Sequence, residues 1–169
     1  MSKAARRGLL TALLAVVIIG SLGFLLGQTS ERSKLNVEEE IRTARIESAD
    51  AAIREVLSGQ VEAWNSGDLD AFMFDYLPGD TLRFASGNTV ERGWQPTLDR
   101  YRRRYPDRAS MGELSFGKLE VDVLGADDAL VFGRWRLRRE ADTPQGLFTL
   151  HMVRRNGRWV IASDHTSSE

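Results

Sequence analysis

GLFTLHMVRRNGRWVIASDHTS, residues 146–167, is the stretch on which the fold turns. Two apolar-rich runs, Phe148-Leu150-Met152-Val153 and Trp159-Val160-Ile161, flank Arg155-Asn156-Gly157-Arg158. An Asn-Gly pair tolerates the positive φ that a two-residue hairpin turn demands, so the pattern predicts two antiparallel strands. The second run ends in Asp164-His165-Thr166-Ser167. Polar groups able to exchange protons and hydrogen-bond follow core residues there, as where a curved sheet hands its core over to a pocket mouth.

Upstream of this hairpin the period stays at two. Ala129, Val131, Gly133, Trp135 and Leu137 alternate with Arg134, Arg136 and Arg138, and Leu119, Val121 and Val123 alternate with Lys118, Glu120 and Asp122. Strict alternation of apolar and charged residues predicts an antiparallel sheet with one wet face. Before Pro106 the period is helical. Ile53, Val56, Leu57, Gln60, Val61 and Trp64 form one stripe with a single polar member, ended by Asn65-Ser66-Gly67. Gln60 fits a partly exposed edge position or a polar group facing a cavity. Asp68 caps a short helix over 69–76, and Thr81 to Ala85 alternates as a strand that Ser86-Gly87-Asn88 turns back. Gly93 to Tyr105 reads as a further helix with Trp94, Leu98 and Tyr101 inward. Its Arg100, Arg102, Arg103 and Arg104 suit a solvated face better than an anion or headgroup site. Helices followed by hairpin strands make an α+β domain with helices on one sheet face.

The N-terminus has a different character. Lys3, Arg6 and Arg7 precede an uncharged run, Leu9 to Gly27, that spans roughly 28 Å as a helix, close to a bilayer's hydrocarbon core. Its length, and the lack of an A-x-A-like cleavage site in GFLLGQTS, favour an uncleaved signal anchor over a secretory signal. The basic residues place 1–8 in the cytoplasm, 9–27 in the membrane and the rest outside; secretion after cleavage is the alternative. Residues 28–47 read as a linker and helix extension, with Asn36 and Glu39 as a capping box.

Composition closes off several classes of function. Three of 23 basic residues lie in the N-terminal segment, leaving 20 against 24 acids, which argues against nucleic acid as a partner. The absence of cysteine excludes a thiol nucleophile, a disulfide and a lipoprotein anchor. Two histidines, His151 and His165, are too few for a multi-histidine zinc site, and no metal or cofactor is expected.

Trp64-Asn65-Ser66-Gly67-Asp68-Leu69-Asp70-Ala71-Phe72 resembles the helix junction of the nuclear transport factor 2-like superfamily. Within it, Gly146 to Leu150, Gly157 to Ile161 and Asp164 to Ser167 are similar to SnoaL-like domains, relatives of polyketide cyclases and ketosteroid isomerases. Gly133-Arg134-Trp135 and Tyr101…Tyr105-Pro106 fit as well, and the match covers roughly residues 48–167. The resemblance implies a cone: a curved antiparallel sheet of about four to six strands wrapped around about three helices, here preceded by one transmembrane helix. It also implies a pocket and a homodimer through the outer sheet face. Function does not follow from that fold. The resemblance puts Gln60 at the position of the isomerases' tyrosine, Phe84 at that of their catalytic aspartate and His151 near that of the second acid, so steroid-isomerase chemistry is not expected.

The candidate catalytic residues are His165, as general base or polar pocket contact, and Tyr76, as hydrogen-bond donor. Strand alternation keeps Asp164 from orienting His165, which could instead tie down the sheet edge. The candidate ligand-binding residues are Gln60, Trp64, Tyr76, Trp94, Tyr101, Trp135, His151 and His165, giving an apolar pocket with polar tips. His151 suits an interface or satisfied histidine better than a catalytic one. The reading favours a membrane-anchored, extracytoplasmic domain that binds a small, mostly apolar ligand. The alternatives are an isomerase, cyclase or dehydratase acting on a carbonyl compound, and a dimerisation module with a filled pocket.

Overall fold

The computed structural model describes the backbone of residues 3–169 and the side chains of residues 31–169. The anchor expected over 9–27 lies outside the residues whose side chains are described. Among the described residues no helix is long and apolar enough to cross a membrane. The chain divides into two units, Met1–Arg45 and Ile46–Glu169.

Helix α1 (Lys3–Ser66) runs through both. The capping box expected at Asn36 is not used, because the helix continues through it. In the first unit residues 31–45 are exposed, and Glu31–Lys34 and Glu39–Arg42 pair one turn apart. Such exposed pairs contribute only tenths of a kcal/mol, ~0.3, to a helix.

In the second unit the predicted stripe is the buried one: Ile53, Leu57, Gln60 and Trp64 are all within a few per cent of full burial. The helix ends in a Schellman pattern. Gly67 (φ 86°) donates to the Trp64 carbonyl and Asp68 to the Ala63 carbonyl. Two side chains complete the stop. The Arg108 guanidinium donates to the Trp64 and Asn65 carbonyls at 2.8 and 3.1 Å. Asn65 brackets Leu114, accepting from its N–H at 2.7 Å and donating to its carbonyl at 3.1 Å. The Asn of the junction motif is thus the clamp that fixes the helix end to the sheet.

Asp68 caps α2 (Leu69–Met73) by accepting from Ala71 N–H at 2.8 Å. The helix is shorter than expected, and Tyr76 lies beyond it, bridged to Ile161. The strands β1 (Arg83–Ser86) and β2 (Thr89–Arg92) form a hairpin, followed by α3 (Trp94–Arg104). A further turn of helix, α4 (Arg108–Met111), was not foreseen in the sequence; Asp107 and Ser110 form its capping box. Then come β3 (Glu113–Val123), β4 (Asp128–Arg138), β5 (Gln145–Arg155) and β6 (Arg158–Thr166). Asn156 (φ 51°) and Gly157 (φ 79°) make the predicted turn between the last two.

The six strands form one curved sheet in the order β2-β1-β6-β5-β4-β3. It is not wholly antiparallel as expected: β1 pairs with β6 in parallel, setting Phe84 beside Asp164. The connection between them passes through two helices and four intervening strands, long enough to permit it. On β4, Arg134, Arg136 and Arg138 are exposed while Val131, Gly133 and Leu137 face inward, as the alternation predicts. Gly133 lies opposite Phe148 on β5, and a Cβ there would meet the Phe148 ring at 2.6 Å. Inward residues of β5 and β6, Phe148, Leu150, Met152 and Ile161, join the helical stripe in one core.

Candidate functional site

The core does not close completely. A cavity of about 340 Å³ is bordered by Gln60, Trp64, Phe72, Tyr76, Phe84, Tyr101, Phe116, Trp135, Phe148 and Asp164, with Arg100, Arg104, Arg139 and Glu169 also on its lining. Its size lies in the range of small-molecule sites, roughly 300–1,000 Å³.

Its wall is aromatic. Trp64 makes edge contacts with Phe72, Tyr101 and Tyr105 at centroid separations of 5.1, 5.9 and 4.8 Å, and Phe84 meets Tyr101 at 5.5 Å. Edge-to-face packing of this kind fixes ring positions. The indole of Trp64 donates to the Met111 carbonyl at 3.3 Å, and Trp135 to the Ser167 carbonyl at 2.9 Å. Gln60 is 2 % exposed and donates to the Phe72 carbonyl at 3.2 Å, so it is a satisfied polar group on the lining, not an edge residue.

The polar centre is Asp164, 6 % exposed. Its Oδ2 accepts from the Tyr76 hydroxyl at 2.8 Å, and the Tyr76 oxygen lies 3.4 Å from that of Tyr101. Its Oδ1 is buried without a hydrogen-bond partner in the protein. Burial pushes the carboxyl up to about 7, against the opposing pull of the Tyr76 hydrogen bond and the Arg100 charge. Burial, reinforced by the Asp164 charge, holds both tyrosines above the ordinary phenol range, so they serve as neutral donors. Among the described residues no cluster of three His, Asp or Glu side chains is arranged to hold a metal ion.

A solved NTF-2 like protein of unknown function from Shewanella oneidensis MR-1 is 44 % identical, over 70 % of this chain and 98 % of that one, with a TM-score of 0.68. This chain belongs to the NTF2-like family. Two other NTF2-fold neighbours share the fold at lower identity. An NTF2-like protein of unknown function from Pseudomonas putida KT2440 is 18 % identical over 71 % of this chain and 86 % of its own (TM-score 0.62). A ketosteroid isomerase-like protein from Erwinia carotovora atroseptica SCRI1043 is 18 % identical over 70 % and 94 % (TM-score 0.58). No protein-family model and no curated protein matches the chain.

Within this NTF2-like cavity Gln60, Trp64, Tyr76, Tyr101 and Trp135 come together. Trp94 does not reach it; half-buried, it donates to the Met73 carbonyl at 2.8 Å. Nor does His151, which lies on the other side of β5 and pairs with Asp128 at 3.0 Å. The largest departure is His165. Register sets it opposite Thr149, both exposed on the outer face, whereas Asp164 opposite Leu150 points inward. The partner of Tyr76 is therefore Asp164 and not His165. The β-bulge between His151 and Met152 sets that phase. The hidden cue was the parity of Phe148, Leu150 and Met152, which carries across the hairpin only once the bulge is known.

Proposed function

We propose that this NTF2-like chain is a membrane-anchored domain that binds a small, mostly apolar molecule through one carbonyl or hydroxyl oxygen at its buried end. One observation carries the reading: Asp164 Oδ1 is buried on an aromatic-walled cavity with no partner in the protein. Leaving a buried polar atom unpaired costs about 1–3 kcal/mol. A ligand oxygen accepting a hydrogen bond from the neutral carboxyl would recover that cost. The uncharged run 9–27 supports the anchor and a location outside the cytoplasm. Leu130 and Phe132, exposed on the outer sheet face, support a second copy of the chain packing there.

The test is titration of the full-length chain with acetylnaphthalene, an uncharged aromatic ketone, read by quenching of Trp64 and Trp135. Saturable quenching is expected, with Tyr76→Phe and Asp164→Leu weakening binding about ten-fold, the value of one well-placed hydrogen bond. Quenching that never saturates, or that ignores both substitutions, rules the reading out.

A second reading is proton transfer at a carbonyl compound. It is favoured by the carboxyl held at about 7, close to the ideal for a general acid or base. Ketosteroid isomerase stabilises an enolate with a tyrosine and a neutral aspartic acid that donate to one oxygen; here the Tyr76 hydroxyl donates to Asp164 Oδ2, which leaves the Asp164 carboxyl as the donor to a ligand. A separate base beside Asp164 is the missing part, since its neighbour on β1 is Phe84. Exchange of the ketone's methyl protons in deuterated water, followed by mass spectrometry, separates turnover from binding. Binding without exchange favours the first reading.

A further inference from the structure

We propose that the lining arginines Arg100, Arg104 and Arg139 bind a carboxylate of the ligand, making the substrate class aromatic or alicyclic oxo-acids. The inference rests on the binding reading above and specifies its ligand.

Among the described residues two buried side-chain polar atoms lack a hydrogen-bond partner in the protein, Asp164 Oδ1 and Arg139 Nε. Both belong to residues that border this one cavity. One is on an acid whose ionisation burial opposes; the other is on a permanent cation. The Arg139 side chain is only 19 % exposed, and its neighbour Asp142, at 3.5 Å, is too poorly aligned to form a hydrogen bond with Nε.

Two more arginines line the cavity from α3. Arg100 and Arg104 stand one helical turn apart on α3, hence on one face. Arg100 lies over the Phe84 ring at 4.6 Å, which restrains its guanidinium beside the cavity. Neither has an ion-pair partner among the described residues. Two acids share the lining. Burial opposes the ionisation of Asp164, and Glu169 is engaged by Arg134 at 3.6 Å and by Gln145 at 3.0 Å. Among the described residues Arg100 and Arg104 therefore border the cavity without an ion-pair partner, and Arg139 borders it paired with Asp142 alone. Guanidinium groups match carboxylates in shape and charge. A molecule with an oxygen for Asp164 and a carboxylate for the arginines would satisfy both orphaned atoms at once.

Three ketones of increasing length serve as probes: acetylbenzoate, acetylnaphthoate and an acetylbiphenyl carboxylate, each beside its methyl ester. Binding to the full-length chain is followed by tryptophan quenching at low and high salt. For at least one length the carboxylate should bind about ten-fold more tightly than its ester, and salt should narrow the gap. Arg139→Gln, and separately Arg100→Gln with Arg104→Gln, should remove that preference. Exposed Arg104 makes Arg104→Gln alone a variant that folds, and it should lower the preference by itself. Carboxylates and esters binding equally at every length overturn this inference and leave the binding reading standing. A chain that binds none of the six overturns the binding reading, and this inference with it.

Discussion

Asp164 is a carboxyl group whose ionisation the surrounding protein opposes. Folded, it keeps its proton up to about pH 7, whereas in the unfolded chain an aspartate releases it near pH 3.9. Between those values the native state binds the extra proton. The stabilisation from this group is therefore complete below about pH 4 and is lost as pH rises through 7. The window is worth up to about 4 kcal/mol. Thermal melts at pH 5 and pH 8 should show the wild type losing stability at the higher value, and Asp164→Asn should shrink that difference. An Asp164→Asn protein with an unchanged pH profile would show that the carboxylate is ionised in the native state throughout. At this scale the sequence was half legible. Trp64 and Tyr101 could be named because large apolar residues at helical spacing face inward, whereas Trp94 lies off the cavity and the phenylalanines of its wall were not singled out. The acid could not be named, because adjacent residues 164 and 165 differ only in strand phase, and a single bulge sets that phase.

Elements are held here by their ends more than by their middles. Arg108 donates to the Trp64 and Asn65 carbonyls at the close of α1, and the Asn65 side chain pairs both the N–H and the carbonyl of Leu114. Asn65→Ala leaves that N–H and carbonyl unpaired, and should cost about 1–3 kcal/mol in urea unfolding. Gly67→Ala should cost about 1 kcal/mol or more: it forces a positive φ on alanine, and its methyl meets Arg108 Cδ at 2.8 Å. The helix stripe, the 146–167 hairpin and the wet face of β4 were all readable, since each is a local period. The parallel pairing of β1 with β6 was not. It joins segments some eighty residues apart and leaves no mark in either one's own pattern. The helix through Asn36 was misread for a related reason: a capping sequence permits a start and does not forbid continuation.

Among the described residues, those of the core, the sheet and the cavity lining all belong to the second unit, residues 46–169. Expressed alone, it should unfold in one cooperative transition and match the full-length chain in affinity for acetylnaphthalene; a broad, non-cooperative melt would show that residues 3–45 supply part of its stability. If two copies pack through the outer sheet face, Phe132→Glu should shift the sedimentation coefficient to that of a monomer without altering ligand affinity. The size of the cavity is set in part from outside it. Gly133 has no side chain where Phe148 needs room, and Phe148 is part of the wall. A methyl group at 133 would press that ring towards the vacant space, so Gly133→Ala should exclude the longest probe before the shortest. Ligand preference in this lineage can then drift through a residue that no ligand touches, with the hydrogen-bonding centre at Asp164 left intact.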